Sequence, residues 1–491
     1  MPLLKKQRRD AGRRIDFTCQ LFSDELVLGT FAYLSAHDLI ECGKVNHAWS
    51  RLSCDAGLWR PLYEERFNKP LCTFKAKWNP MAEYQLPFSD WKDQYRIHQN
   101  WLTGYCTSYR HDTNTFSEHS NSWGSCTLQY LIQYTRDLLC VCNQARTQVE
   151  LWHIGKTTTR QLCCLDDVSD NNRRHTITFM KLNEATEELD DHTGQQQQYY
   201  RLTIGNSAGG FDVWKITTAK EQEATSLVGT RRTGRYRPLS QGSAVVALDV
   251  CYPMLIMCTA NMKLQAFDIS DPTPRQVLLL ESPIPWSPVV LHLARHLSST
   301  QWRAILCYGM LVMGNQTSIG TQEIIFTANG LSSSRHSSIL DPRSALLPLG
   351  SRAPPTLTSI VYSEPFLMTA HTSNTIKEYR LVSTPDQFTI EFVRTYYGHT
   401  CQVSSLALDS DQGRLISGSR AGLRIWDLLG LDQYKIRAKD YVVTLRHEDY
   451  GAMDIPQNDI VWIQMDAFKI VALIRNGDTK EAWFKVWSFD P

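Results

Sequence analysis

Two rhythms of apolar residues divide this chain. In residues 21–67 the spacing is helical: Val27, Phe31 and Leu34 fall at i, i+4, i+7, as do Val45, Trp49 and Leu52, while Trp59, Tyr63 and Phe67 fall at i, i+4, i+8. Ser35 with Asp38 three residues on marks a helix start, followed by Leu39 and Cys42 on one side. Pro61 cannot sit in a helix interior without a kink, so the last helix is expected to begin there. A few short amphipathic helices bury little core by themselves. The pattern therefore predicts apolar faces in need of a partner.

From about residue 100 the period changes to that of strands, about five to nine residues each, separated by turns. A unit recurs whose third strand ends on an aromatic: VELWHI (149–154), FDVWKI (211–216), LQAFDI (264–269), IKEYRL (376–381), LRIWDL (423–428) and FKVWSF (484–489). The long gap at 270–375 contains VVLHLAR and WRAILCYGMLVMG and fits one further unit. Seven four-stranded units of this length predict an all-β propeller of seven blades over 104–491. The chain ends on a third strand. The segment WLTGYCTSYRH (101–111) is expected to supply the missing fourth and so to remove two free sheet edges. A β-sandwich would not show this period.

The helical segment reads L-x-x-E-L…F-x-Y-L…D-L…V…W-x-x-L…L-W-x-x-L-Y-x-x-R-F. In this order it resembles an F-box, the domain that docks onto the Skp adaptor of cullin-based ubiquitin ligases. Leu21, Glu25, Leu26, Phe31, Tyr33, Leu34, Asp38, Leu39, Val45, Trp49, Leu52, Leu58 and Trp59 carry the match. Two places depart from it: Phe22 stands where the family has Pro, and Asn46-His47 where it has Cys-Arg. The resemblance implies a basic tail over 1–17, a small all-α F-box domain over 18–70, and a linker helix region over 71–103 that includes WKDQYRIHQNWLTG (91–104). It also implies adaptor binding by Leu21, Leu26, Phe31, Leu34, Leu39, Val45, Trp49, Leu52, Leu58 and Trp59. The alternative is a helical cap packed on the β body.

Residues 398–428, GHTCQVSSLALDSDQGRLISGSRAGLRIWDL, resemble a WD repeat from end to end. The resemblance assigns His399, Ser417, Trp426 and Asp427 to its structural motif. In that family His, Ser or Thr, and Trp join an Asp in a buried hydrogen-bond chain. Here the Asp position falls at Ala421-Gly422 with one residue missing, which implies an incomplete network and a looser blade. With the linker, the resemblance to F-box/WD-repeat proteins spans nearly the whole chain.

Composition narrows the chemistry. The net charge of +1 gives no global field for nucleic acid or membrane. The 14 cysteines form no paired C-x-x-C, which argues against structural zinc and for a reduced, intracellular chain. The N-terminus is charged and no apolar run approaches the length of a span, so neither a signal peptide nor a membrane helix is expected. Lys5, Lys6, Arg8, Arg9, Arg13 and Arg14 are either a nuclear-import signal or a solvated tail, which places the protein in the cytoplasm, the nucleus or both. Catalytic patterns fare badly. His292 and His296 have zincin spacing, but Leu293 replaces the general-base Glu and the run reads as an edge strand. GNSAGG (205–210) reads as a turn, and no P-loop or G-x-S-x-G occurs. No cofactor or metal is expected.

Substrate contacts are expected where loops lead into innermost strands and leave the second ones. Residues 230–238 (TRRTGRYRP) read as such a loop, and Arg231, Arg232, Arg235 and Arg237 concentrate positive charge there. Arg420, in GSRAG, resembles the position where phosphodegron-reading family members carry an arginine. Guanidinium forks suit phosphate. The expectation is that Arg420 and part of 231–237 bind a phosphorylated or acidic degron. Its rival is a solvated loop and a surface arginine, and Ser404 stands where a second family arginine often appears. Residues 184–198 and 331–356 read as loops.

Two functions follow. One is a non-catalytic substrate receptor that binds the Skp adaptor, through it a cullin/RING ligase, and a protein target, with neither nucleic acid nor membrane as partner. The other is a propeller scaffold whose helical part no longer binds the adaptor.

Overall fold

The computed structural model describes residues 22–68, 90–112, 130–155, 159–165, 175–189, 195–221, 224–239, 242–283, 286–296, 300–312, 316–340, 356–429, 442–445, 458–477, 479 and 481–490. Leu21 and the basic tail lie outside them. The chain forms two compact units, 1–103 and 104–491.

The first unit is helical: α1 (Asp24–Phe31), α2 (Ala36–Cys42), α3 (His47–Ser53), α4 (Ala56–Tyr63) and α5 (Trp91–Thr103). Its helix starts are set by capping side chains. Ser35 accepts from the Asp38 N–H, and Asn46 accepts from the Trp49 N–H at 2.9 Å. Asn46, a departure from the family pattern, is thus the cap of α3. The expected start at Pro61 is corrected: α4 opens at Ala56, because Asp55 Oδ1 takes the Gly57 N–H at 2.8 Å. Pro61 removes one donor inside the helix, and the chain then widens into a π-helical turn over Glu64–Asn68. Tyr63 and Phe67 of this segment pack edge-on or tilted against Trp91, Tyr95 and His98 of α5, and Trp59 packs edge-on against Tyr95. That aromatic cluster is the unit's core.

The second unit is a closed ring of seven four-stranded antiparallel sheets. Blade 1 is β2–β5 (Ile132–Leu165) and blade 2 is β6–β9, with β6 Ile177–Leu189, β7 Gln195–Asn206, β8 Phe211–Glu221 and β9 Ala224–Tyr236. Blade 3 is β10–β13 (Val245–Glu281), blade 4 is β14–β17 (Val289–Leu340), blade 5 is β18–β21 (Leu357–Tyr396) and blade 6 is β22–β25 (Val403–Leu445). Blade 7 is ordered β1-β28-β27-β26, with β26 Asn458–Met465, β27 Lys469–Asn476 and β28 Ala482–Ser488. Its outermost strand is β1 (Thr107–Asp112), which lies antiparallel to β28 with Thr107 opposite Ser488 and Asp112 opposite Trp483. The innermost strands adjoin in sequence order, and β26 adjoins β2. Alternation on each strand places one apolar face toward each neighbouring blade. A one-residue bulge recurs near the start of the innermost strand in blades 2, 3, 5, 6 and 7.

Parts of three expected loops are strand. Residues 184–198 continue the β6–β7 hairpin, whose pairing runs out to Leu189 opposite Gln195. Residues 331–340 belong to β17, and 224–236 to β9. Cross-strand pairing satisfies the backbone in each case, so polar composition did not imply a loop. His292 lies on β14, an edge strand of its sheet as expected, and the one nearest the ring's centre. Its ring faces Asp249 at 3.4 Å, in a central channel of about 260 Å³ lined by all seven innermost strands. Burial alone would raise the Asp249 carboxyl, but Lys181 at 3.1 Å and His292 hold it well below its ordinary range.

Candidate binding sites

The residues expected to bind the adaptor separate into two groups. Phe31, Leu39, Leu52, Leu58 and Trp59 are buried within the helical unit. Trp59 is further fixed by donating its indole N–H to the Ser53 carbonyl at 2.6 Å. These five shape the surface and do not form it. Leu26 and Val45 are exposed, and Leu34 and Trp49 are half-buried, Trp49 meeting Phe31 edge-on at 5.3 Å. The open surface also includes Phe22, Tyr33 and Ile40, to none of which sequence matching had assigned a contact role. Leu26 is 61 % exposed and Tyr33 92 %. Five large apolar side chains between residues 22 and 45 thus face solvent beside a completed aromatic core.

On the propeller, the arginine cluster comes apart. Because 231–236 is strand, alternate side chains face opposite blades. Arg235 Nε and Arg237 Nη2 close on the buried Asp212 carboxylate at 2.8 and 2.7 Å. Arg237 also donates to the carbonyls of Phe211 and Tyr236. These two arginines neutralise a buried acid and are not a substrate site. Arg232 lies over the Trp214 ring, 5.8 Å from its centroid, and Arg231 is exposed on the other face of β9. Arg420 is in the β23–β24 turn of blade 6, three blade steps from blade 2. The single composite site expected from sequence does not form.

Arg420 has other company. Its side chain is 65 % exposed, and its Nε lies 3.9 Å from Asp459 Oδ2. Asp459 also accepts from Ser404 Oγ at 3.2 Å. Burial pushes the Asp459 carboxyl up, while Ser404, Arg420 and Arg475 pull it down. Arg475 is the counterpart of Arg420 in blade 7. Each follows the residue paired with the last position before the bulge, Ser419 with Val403 and Ile474 with Ile460. Two arginines on adjacent blades thus flank one carboxylate. Sequence reasoning missed Arg475 because its repeat keeps only the aromatic third strand of the WD pattern.

The buried motif of blade 6 is more complete than expected. Trp426 Nε1 donates to Ser417 Oγ at 2.7 Å, and Ser417 Oγ lies 2.6 Å from His399 Nε2. His399 Nδ1 meets Ser419 Oγ at 3.1 Å. Asp427 lies outside this chain and caps the following turn through the Leu429 N–H.

A helical unit with an open apolar face, followed in the chain by a closed seven-bladed ring, is the architecture of an F-box protein with a protein-binding propeller. The family model described as "F-box protein pof12 beta-propeller" matches residues 128–446, and the chain belongs to that family. A second model, "F-box-like", matches residues 24–65. No curated protein sequence matches the chain. Similar solved structures include the computationally designed Ika8 protein, at 12 % identity over 77 % of this chain and 99 % of that one, TM-score 0.38. The Cps50 (Swd1) propeller domain of Myceliophteria thermophila is 11 % identical over 78 % and 99 %, TM-score 0.41. Sqt1 of Saccharomyces cerevisiae is 9 % identical over 77 % and 88 %, TM-score 0.39. Likeness at this level carries no information on partners.

Proposed function

We propose that this protein is the substrate-recognition subunit of a Skp–cullin–F-box ubiquitin ligase. The observation that carries the reading is the exposure of Phe22, Leu26, Tyr33, Ile40 and Val45 on a unit that already has its own core. Covering a leucine or valine contributes about 1.5–3 kcal/mol, so a partner that buries several of them is held without any polar anchor. The protein has no catalytic role in this reading. It holds a target near an enzyme that transfers ubiquitin, which is acceleration by proximity. The Asn46 departure does not count against adaptor binding, since it caps α3.

For the target, the support lies at Arg420 and Arg475. An acidic or phosphorylated side chain would displace Asp459 from between them and take their guanidinium forks. The test is co-purification of the full chain with the Skp adaptor. Wild type should retain the adaptor, and Leu26→Glu/Val45→Glu should lose it with an unchanged melting temperature. A wild type that never retains adaptor, or a double variant that still does, rejects the ligase reading in favour of a scaffold. Arg420→Glu/Arg475→Glu should keep the adaptor and lose captured targets; undiminished capture rejects the anion site.

A further inference from the structure

The bulge that recurs in the innermost strands sets a common level around the central channel. Two residues on from the first pair after it stand Lys181 in β6, Asp249 in β10, Val361 in β18, Ala407 in β22 and Gln464 in β26. His292 of β14 joins this level through Asp249, with Nδ1 3.4 Å from its carboxylate. All of these except Asp249 line the channel. The level is two-sided: blades 7, 2 and 4 bring polar groups to it, and blades 5 and 6 bring a valine and an alanine. Leu248, Leu291, Leu406 and Trp462 add to the apolar wall.

The polar side shows donors and hides its acid. The Asp249 side chain is only 4 % exposed, and Lys181 Nζ at 3.1 Å, His292 and the Leu293 N–H at 2.7 Å close on it. The side chains of Lys181 and His292 remain 34 % and 35 % exposed. An ammonium has three donors, and among the described residues that of Lys181 meets one partner, Asp249. Gln464 Oε1 accepts the Tyr134 N–H at 2.9 Å, which identifies the oxygen end of the amide and leaves its NH2 as a donor. No acidic side chain is among the described lining residues. The channel thus offers an anion several donors and no repelling carboxylate.

We propose that the central channel binds a small monocarboxylic acid with an apolar chain, its carboxylate on Lys181, His292 and Gln464 and its chain against Val361 and Ala407. A concave, mostly apolar wall with a few convergent polar groups is the form that small-molecule sites take. A carboxylate accepts at two oxygens, and its bond to an ammonium is charge-assisted. One ammonium already shared with Asp249 suits one further negative charge. A dianion would keep charge uncompensated beside an apolar wall. The channel holds about 260 Å³. A water's share of the liquid is about 30 Å³, so there is room for about nine groups of that size, which suits a medium-length chain such as octanoate. The inference rests on the ring alone and does not depend on the ligase reading.

The test is calorimetric titration of the full chain with octanoate, octanol and octyl phosphate. Octanoate should bind wild type saturably, octanol at least tenfold more weakly, and octyl phosphate no more tightly than octanoate. Lys181→Gln should weaken octanoate at least tenfold. If that variant fails to fold, octanoate carrying a terminal diazirine locates the site on wild type: irradiation should label β18 or β22, and excess octanoate should suppress the label. No saturable binding of octanoate, undiminished binding by folded Lys181→Gln, or labelling confined to other surfaces overturns the site. Octanol as tight as octanoate overturns the carboxylate contact. Octyl phosphate that binds more tightly overturns the assignment to a single charge.

Discussion

The hydroxyl of Ser419 stands 3.1 Å from His399 Nδ1, in the role that a WD repeat gives to an aspartate. The consequence is a change of sign. An indole nitrogen can only donate, so Trp426 gives its proton to Ser417, whose own proton is then directed at His399 Nε2. His399 Nδ1–H gives to Ser419, and Ser419 in turn reaches the Gly422 carbonyl at 3.4 Å. The chain runs in one direction and needs a neutral imidazole. A carboxylate would have favoured the imidazolium; here burial, with Arg424 nearby, lowers the His399 pKa to about 4 from 6.5.

That shift makes blade 6 sensitive to acid. Unfolded His399 takes up a proton below its ordinary pKa of 6.5, whereas the folded residue resists until about 4. The unfolded state binds more protons in that window, so this residue's contribution is complete above it and declines as pH falls through it. The full loss is about 3 kcal/mol. Urea midpoints measured at pH 7.5 and 5 should drop more for wild type than for His399→Gln. Parallel profiles would remove His399 as the cause.

Ser417→Ala leaves the Trp426 N–H and His399 Nε2 both buried without their partner. The expected loss is about 2–4 kcal/mol, at about 1–3 per stranded group. Ser419→Ala strands only one end of the chain and should lose about half as much, read from the same urea titrations.

Asp212 is shared by two guanidiniums in a nearly dry site. Asp212→Asn removes the negative charge that Arg235 and Arg237 share and should destabilise the ring by about 3–5 kcal/mol. Arg235→Ala leaves Arg237 in place and should do distinctly less. Additive effects in the double variant would show that the three groups do not act as one network.

Surface and core of the helical unit should respond in opposite ways. Trp59→Ala empties the contact with Tyr95 and should lower stability by about 3–5 kcal/mol. Tyr33→Ser, at a side chain exposed to solvent, should stay within about 0.5 kcal/mol in thermal melts. A large melting shift in Tyr33→Ser would mean that this residue is packed, not open.

The repeat of aromatic third strands revealed the ring because the interior demands the same residue types in every blade, and the missing last strand revealed its closure. The helical start at Ser35 is equally local, a side chain meeting its own backbone; Asn46 caps α3 in the same way but had been read only as a departure from the family pattern. What escaped sequence reading was relational. Periodicity could not tell that Phe31 and Leu39 turn inward while Phe22 and Ile40 turn out, because both sets satisfy helical spacing. Arg231 to Arg237 looked like one cluster until strand alternation sent its members to Asp212, Trp214 and the opposite face. Lys181 and Gln464 are far apart in sequence and come to one level only through register.

The pairing of β1 with β28 joins the first strand of the ring to its last in sequence: Thr107 finds its partner at Ser488. During synthesis the first strand of the ring leaves the ribosome early and waits for nearly all the rest. Loop closure over such a distance is slow, and the intermediate blades must persist with an open edge until it occurs. A chain cut short before β28 has no way to finish blade 7. The ring therefore tests its own completeness: a truncated product would still carry the helical unit, but without a closed propeller.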